Sequence, residues 1–191
     1  MTEPTSRKKQ AKFLRTTRKV HRIMGILLFV FFIVISVSGI LLGWKKHSNG
    51  VLLPATTKGT STELAEWLPL QELEERAFQV LHDSVDDNLS LSLDRIDVRK
   101  EKGIVKFIFA EHLNSIQLDG ATGKVLQIGI RRSDFIERVH DGSILDDYFN
   151  ISNGFIKVTY TTMMGIALLL FSLTGFWLWY GPKRMKNAAR N

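Results

Sequence analysis

The sequence predicts an α+β membrane protein, in which two transmembrane helices flank a small exported domain built from one helix on an antiparallel sheet. Three observations favour this class. Two long apolar runs lie at residues 23–44 and 155–180. Basic residues flank the outer side of each run. The polar segment between them contains one helical pattern followed by four short stretches typical of strands, and a helix laid on such a sheet is an economical packing.

The first run, residues 23–44, contains no charged side chain. As a helix of 22 residues, at about 1.5 Å per residue, it spans roughly 33 Å, which is enough to cross the hydrocarbon layer of a bilayer. A cleaved signal peptide is the rival interpretation. Because Lys45, Lys46 and His47 follow the run in place of small residues, we expect an uncleaved anchor.

The second run, residues 155–180, reaches a similar length once Lys157 extends its ammonium group to the interface. Aromatic residues at Trp177, Trp179 and Tyr180 are typical of a membrane border. We expect Gly181-Pro182 to end this helix.

The distribution of charge predicts the orientation. Residues 1–22 carry eight Lys/Arg against one acid, Glu3, and the tail after Gly181 carries four Lys/Arg, including Arg190. The segment 45–157 carries 14 Lys/Arg against 18 Asp/Glu. By the positive-inside rule both termini are expected in the cytoplasm and the central domain in the periplasm of a bacterial inner membrane. The pI of 9.7 therefore indicates topology and contact with anionic membrane lipid, not nucleic-acid binding.

The polar segment predicts a compact domain. Apolar residues recur at helical spacing from Leu70 to Val85, after Pro69 as a first helical residue, and strands are expected at 95–99, 104–109, 115–118 and 124–130. The absence of cysteine excludes cysteine-ligated metal clusters and catalytic thiols. The predicted domains are a basic cytoplasmic tail (1–22), a transmembrane helix (23–44), a linker (45–63), the periplasmic domain (64–132), an interfacial connector (133–154), a transmembrane helix (155–180) and a basic cytoplasmic tail (181–191).

Several segments resemble a known family. The stretch Ser115–Leu126, with its Asp-Gly-Ala-Thr-Gly turn, resembles the last hairpin of a PepSY domain. Val20–Gly25 with Ser38–Trp44 resembles the first span of PepSY-associated transmembrane proteins. Val139–Gly142, which reads Val-His-Asp-Gly, together with Leu173–Trp179 resembles their closing span. The resemblance covers nearly everything from about residue 18 to 185.

The resemblance implies a function. Larger relatives with more spans include ferric-siderophore reductases of the bacterial inner membrane, which bind b-type haem through histidines near the span ends. It therefore implies haem b, electron transfer across the membrane in iron acquisition, a ferric chelate as acceptor and a role as a haem-dependent ferric reductase component. Because this chain has two spans, the same resemblance implies a homodimer or a membrane partner protein.

Three histidines are the candidate cofactor-binding residues and the candidate ligands of a haem iron. His21 lies at the inner end of the first span, His47 just past its outer end and His140 shortly before the second span. His47 and His140 are expected on the same side of the bilayer, so one protomer could pair them. His21 lies 26 residues before His47, or about 39 Å along a helix, so it needs a ligand partner from another chain.

Small residues form a stripe on each span. Because eighteen residues make five helical turns, His21 and Gly39 share a face, with Gly25 and Gly43 close to it. The second span has a comparable stripe of Thr161, Gly165, Leu168, Ser172 and Trp179, with Gly175 at its edge. Close helix packing and a groove for a flat cofactor both use such residues, and the sequence leaves both open.

Other polar residues are expected to be structural. We interpret His82 as a helix-surface residue, His112 as a turn residue, and the pairs Asp86-Asp87 and Asp146-Asp147 as solvated carboxylates. Each candidate histidine could also be a simple interfacial residue. No catalytic residue is assigned, and with no dinucleotide fingerprint in the chain, electrons would need a separate cytoplasmic donor.

The alternative function is non-enzymatic. A membrane-anchored PepSY module would bind a periplasmic peptide, a protease or a transporter partner. A third option is an accessory subunit that packs beside a larger transporter.

Overall fold

The structure is a computed structural model that describes residues 4–187, with side chains from residue 8. Glu3 and Arg190, which entered the charge count, lie outside the described residues. The helices in chain order are α1 (Pro4–Trp44), α2 (Leu70–Ser84), α3 (Arg132–Asp141), α4 (Ser143–Tyr148) and α5 (Phe155–Asn187). The strands are β1 (Leu93–Arg99), β2 (Ile104–Phe109), β3 (Asn114–Asp119) and β4 (Val125–Ile130).

The described residues divide into two compact units. Residues 4–37 and 138–187 form the first unit, and residues 38–137 form the second. The predicted PepSY-like domain, residues 64–132, lies inside the second unit. The finer domain boundaries stay predictions.

The second unit confirms the predicted helix on an antiparallel sheet. The strand order is β1-β2-β3-β4 with every neighbouring pair antiparallel. Strand β2 has the predicted bounds, and α2 begins one residue after Pro69 rather than at it. Helix α2 packs one apolar face on the sheet because its buried residues recur at helical spacing. The buried core consists of Leu73, Ala77, Leu81, Val105, Phe107, Phe109, Ile116 and Leu118.

The opposite face of the sheet is polar, and the chain segment before α2 crosses it. The Gln117 side-chain amide donates to the Ala55 carbonyl at 2.7 Å. A Cβ atom at Gly129 would lie 2.5 Å from the Pro54 ring, so this glycine permits the close approach. The predicted linker, residues 45–63, therefore packs on the sheet as well as connecting elements.

The Asp-Gly-Ala-Thr-Gly turn after β3 has a structural role. The Asp119 carboxylate accepts hydrogen bonds from the Thr60 and Ala121 backbone N–H groups at 2.8 and 2.9 Å. Burial alone would raise the pKa of Asp119, but hydrogen bonds from Thr122, Thr60 and Ala121 outweigh it and hold that pKa below the ordinary value. This residue closes the β3–β4 hairpin and fixes the segment that precedes α2.

Both apolar helices are longer than predicted. Helix α1 begins at Pro4, so the segment read as a basic tail is helical from there on. The prediction that Gly181-Pro182 ends the second helix was wrong, because α5 continues through Pro182 to Asn187. An internal proline costs about 3 kcal/mol by removing a hydrogen bond and crowding the preceding turn. Here Gly181 packs against Leu14, where an added Cβ would lie 2.6 Å from Leu14 Cδ2, and this contact helps to hold the end of the helix.

Asp146 caps the start of α5 from the preceding helix. Its carboxylate accepts hydrogen bonds from the Ile156 and Lys157 backbone N–H groups at 2.9 and 2.8 Å. Only 5% of Asp146 is exposed, so the expectation of a solvated carboxylate was wrong for this residue. Unpaired N–H groups at a helix start attract an acceptor, and a charged one also interacts well with the helix dipole. Its neighbour Asp147 instead pairs with Arg138 at 3.3 Å.

Candidate functional site

His21 lies on α1 and contacts α5 within the first unit. Its Nδ1 atom is 2.8 Å from the Thr174 hydroxyl oxygen. Its imidazole stacks on the Phe171 ring, with ring centroids 4.0 Å apart and planes inclined by 21°. The orientation of His21 is therefore set by a membrane helix other than its own.

The partners of Thr174 decide which nitrogen of His21 carries the proton. The Thr174 hydroxyl lies 2.7 Å from the Leu170 carbonyl and 3.0 Å from the Phe171 carbonyl, one turn back on its own helix. A hydroxyl has a single proton, and here it is directed to these carbonyls. The contact with His21 is then a hydrogen bond donated by Nδ1–H. The Nε2 atom of the neutral ring keeps its lone pair, as an axial iron ligand requires.

Two glycines make room for this arrangement. A Cβ atom at Gly175 would lie 3.4 Å from His21 Cε1, and one at Gly25 would lie 3.3 Å from the Phe171 ring. The predicted stripe on α1 is confirmed at these positions, since His21 and Gly25 face α5. In the structure the space beside Gly25 is filled by Phe171.

The predicted stripe on α5 is mostly exposed within the single protomer, whereas Gly175 at its edge lies against His21. Among the described residues, no atom lies within 4 Å of a Cβ built at Gly165, and Thr161, Leu168 and Ser172 are exposed. The packed face of α5 is rotated by about one residue, or 100°. Its members are Met164, Phe171, Thr174 and Gly181.

His140 belongs to the last turn of α3, in a motif that docks on the start of α5. The Asp141 carboxylate accepts hydrogen bonds from the Lys157 ammonium at 2.6 Å and from the Ser143 backbone at 3.0 Å. Burial alone would raise the pKa of Asp141, but these partners hold it below the ordinary value. Gly142 adopts a φ of +78° and lies against Tyr160, where a side chain would clash.

His21 and His140 occupy different levels of the first unit. His21 contacts Thr174, whereas the turn beside His140 contacts Tyr160, fourteen residues earlier on α5. Fourteen helical residues rise by about 21 Å. One iron cannot bind both imidazoles of a single protomer, so the two histidines mark two separate positions.

The remaining histidines lie in the second unit. His47 is exposed at the end of the short 3-10 helix Lys45–His47. His82 is exposed on α2, and His112 lies in the bend between β2 and β3, 3.0 Å from the Ser90 carbonyl. The structural roles expected for these two are confirmed. Across residues 4–187, no group of three or more His, Asp or Glu side chains is arranged to hold a metal ion.

An apolar pocket of about 270 Å³ lies between α1 and α5, roughly two helical turns from His21. The sequence did not predict this pocket, because the α1 residues that line it precede the apolar run at 23–44. Within the described chain, the buried Trp177 indole N–H has no hydrogen-bond partner. The pocket is lined by Lys9, Gln10, Phe13, Leu14, Trp177, Gly181, Arg184 and Met185.

The comparison with protein families shows which family the chain belongs to. The model of the PepSY-associated TM region matches residues 18–190, which is most of the chain. The chain belongs to this family. Its two long helices contain stretches with mean hydropathies of 2.9 and 1.7, so this PepSY-associated TM protein is a membrane protein. No curated protein matches the sequence significantly.

The residues of this PepSY-associated TM protein fit one axial position of a haem. The Nε2 lone pair of His21 is available, and Phe171 stacks on the face of the ring, not on the edge that binds iron. The pocket, with Lys9 and Arg184 at its rim, suits a flat apolar group that carries carboxylates. Its volume of about 270 Å³ is slightly below the roughly 300–1,000 Å³ of ordinary ligand pockets.

Proposed function

We propose that this PepSY-associated TM protein holds haem b at the His21 end of its membrane helices and passes electrons across the bacterial inner membrane to a ferric chelate. The contact between His21 Nδ1 and Thr174 carries the proposal. It joins two segments that the family resemblance singled out, and it leaves Nε2 free for iron. A histidine whose second nitrogen is held by an oxygen is the common arrangement among metal ligands.

Each residue has a distinct role in this proposal. His21 would hold the haem iron through Nε2, Thr174 selects its tautomer, and Phe171 restrains the ring. A second copy of the chain or a membrane partner would supply a further ligand, since the turn beside His140 contacts α5 about 21 Å from the level of His21. Bound haem supplies one-electron chemistry by cycling between ferric and ferrous iron.

A second ligand position, at His140, is proposed on the periplasmic side. His140, held beside α5 by the Asp141–Lys157 ion pair, is proposed as a ligand there. His47 is proposed as its ligand partner, on the ground that the charge distribution assigns both residues to the same membrane border. A separate cytoplasmic donor supplies the electrons, and each electron reduces one chelated Fe³⁺ to Fe²⁺. Both termini are cytoplasmic in this orientation.

Absorbance of the purified full-length protein tests the proposal. After expression with added haem precursor, we expect a Soret band that shifts on addition of dithionite. His21→Ala should remove the share of the band that belongs to this position. His82→Ala is the matched control, because His82 is exposed and, among the described residues, hydrogen-bonds to its neighbour Asp83. Colourless wild-type protein, or a band equally strong in His21→Ala, would overturn the proposal.

A second candidate function rests on the edge of the sheet. Strand β4 is an edge strand, and its residues Val125, Ile128 and Ile130 are more than a third exposed. Such an edge can add an extended peptide by backbone hydrogen bonding. A colourless protein that binds peptides along β4, with loss of binding in Ile128→Lys, would favour the non-enzymatic PepSY module.

A further inference from the structure

A cleft of about 610 Å³ lies on the polar face of the sheet in the second unit. Seven basic side chains line it against a single carboxylate, Asp97. The basic residues come from three places: the residues directly after α1, the β1–β2 hairpin including its turn, and the segment after β4. The cleft therefore concentrates positive charge in a domain segment that is acidic as a whole.

Lys106, in the middle of β2, is the buried member of this group. Only 7% of it is exposed, and its ammonium donates a hydrogen bond to the neutral Thr56 hydroxyl at 2.6 Å. Burial, reinforced by Arg99 and Arg131, lowers the pKa of Lys106 to about 8. A cation buried among cations costs stability unless an anion joins it.

Four of the seven basic residues that line the cleft pair with nearby carboxylates; they are Lys45, Arg95, Arg99 and Arg131. Asp134 accepts two hydrogen bonds from the Arg131 guanidinium, at 2.7 and 3.1 Å. Asp97 lies 3.6 Å from Arg99, and the Glu137 carboxylate lies 3.7 Å from Lys45. Among the described residues, no carboxylate pairs within 4 Å with the other cleft lysines, which are Lys46, Lys102 and Lys106.

The cleft contains residues that directly follow a membrane helix, which indicates its level relative to the lipid headgroups. Lys45 and Lys46, which line it, directly follow Trp44, the last residue of α1. Residues at the end of a membrane helix lie at the level of the lipid headgroups. Several Lys and Arg side chains around one cavity at this level match a phosphate group, which carries multiple acceptor oxygens and up to two charges.

We propose that the cleft around Lys106 binds a phosphate-bearing anion. Two sources share this chemistry: the headgroup of an anionic phospholipid, and a free phosphate ion or ester. Lys106 and Arg99 bind the phosphate oxygens directly, and Thr56 holds the Lys106 ammonium in place. The site does not involve haem, so its test is independent of the electron-transfer proposal.

Calorimetric titration of the full-length protein in neutral detergent tests the site. One arm uses inorganic phosphate, and the other uses short-chain phosphatidic acid, with short-chain phosphatidylcholine as the neutral comparison. We expect binding in at least one arm, weakened by about 0.5 M salt. Lys106→Met and Arg99→Gln should each weaken it by about tenfold or more, since hydrogen bonds to charged groups contribute about 1.5–3 kcal/mol.

Matched variants make every outcome decisive. Lys124→Met changes an exposed lysine outside the cleft and should leave affinity unchanged. Arg99 lies exposed at the end of an edge strand, so Arg99→Gln keeps the test valid if Lys106→Met does not fold. Binding of the lipid alone, or tighter binding of the lipid, assigns the headgroup; binding of inorganic phosphate alone, or equal binding of both probes, assigns a soluble phosphate. Absence of binding in both arms, or binding that neither cleft variant weakens, overturns the proposal.

Discussion

The imidazole of His21 and the hydroxyl of Thr174, 153 residues apart in the chain, meet at a distance of 2.8 Å. The threonine proton is directed to carbonyls of its own helix, so the hydroxyl accepts from the imidazole. A single side chain on α5 thus sets the tautomer of a histidine on α1. This relationship makes several consequences measurable.

Replacing Thr174 should weaken haem binding at the His21 position without abolishing it. Thr174→Val removes the acceptor of the Nδ1 proton but keeps the shape of the side chain. Loss of such a supporting contact typically lowers affinity for the bound metal by about 10- to 100-fold. Haem titration followed by absorbance measures this change, and a redox titration should show a shifted midpoint potential.

Thr174→Ser is the control, because it keeps the hydroxyl and should bind haem like the wild type. Equal haem affinity in Thr174→Val and the wild type would contradict the assigned role of the hydroxyl.

Enlarging Gly25 should disturb the packing of the two membrane helices. In Gly25→Leu the added side chain meets the Phe171 ring, which a Cβ atom alone would approach to 3.3 Å. Overpacking of this kind costs about 1–3 kcal/mol. Thermal unfolding in detergent, followed by circular dichroism, should show a lower midpoint.

The same substitution at Gly165 provides the comparison. Within the described structure, no atom lies within 4 Å of a Cβ at that position, so Gly165→Leu should leave the midpoint nearly unchanged. Equal destabilisation by the two variants would contradict the assignment of the α1 contact to the Phe171 face of α5.

Removing the charge of Asp146 should loosen the first turn of α5. Asp146→Asn keeps one acceptor oxygen but loses the second and the favourable interaction with the helix dipole, at a cost of about 1–2 kcal/mol. Hydrogen exchange should become faster at the Ile156 and Lys157 amides. Asp147→Asn, which only breaks an exposed ion pair with Arg138, should leave exchange at those amides unchanged. If it accelerates them equally, the cap is not specific to Asp146.

Lys106 should make the stability of the protein depend on pH in the alkaline range. Its pKa is about 8 when folded and near 10.5 when unfolded, so between these values the unfolded state binds more protons. Stability therefore rises with pH across this window, by about 1–3 kcal/mol, as the buried charge is lost. The groups that act on the ammonium are Asp97, Arg99, Lys102 and Arg131.

The measurement is the difference in unfolding free energy between the wild type and Lys106→Met at pH 7 and pH 10. The variant should be the more stable protein at pH 7, and its advantage should shrink by pH 10. Lys124→Met serves as the baseline for other titrating lysines. An advantage that does not change with pH would mean that Lys106 has the same pKa in the folded and the unfolded protein, and would contradict the lowered value.

The soluble part of the fold could be predicted because its patterns are local. Leu73, Ala77 and Leu81 recur at helical spacing, and Val105, Phe107 and Phe109 alternate along β2, so the sequence shows which residues of each element enter the core. A helix and a sheet that each have one apolar face have few ways to pack.

The packing of the membrane helices could not be predicted in the same way. Helix α5 is apolar on all sides, so hydropathy contains no information about which side meets α1. The small residues predicted that the side of α5 with Gly165 would pack, whereas the contact with His21 of α1 is made by Phe171 and Thr174. Lys106 raises a similar difficulty, because a lysine within a strand reads as solvent-exposed. Its burial comes with Thr56, fifty residues earlier, and no local pattern reports such a contact.

Helix α1 includes nineteen residues, 4–22, before its apolar run begins. A continuous helix of that length is a stiff rod of roughly 28 Å. Its cationic side chains are therefore attached at fixed heights and angles around the helix axis. A protein that binds the cations farthest from the apolar run would be held at a fixed distance from the lipid surface. Removing four residues from the rod would draw that protein closer by about 6 Å and turn it by about 40°.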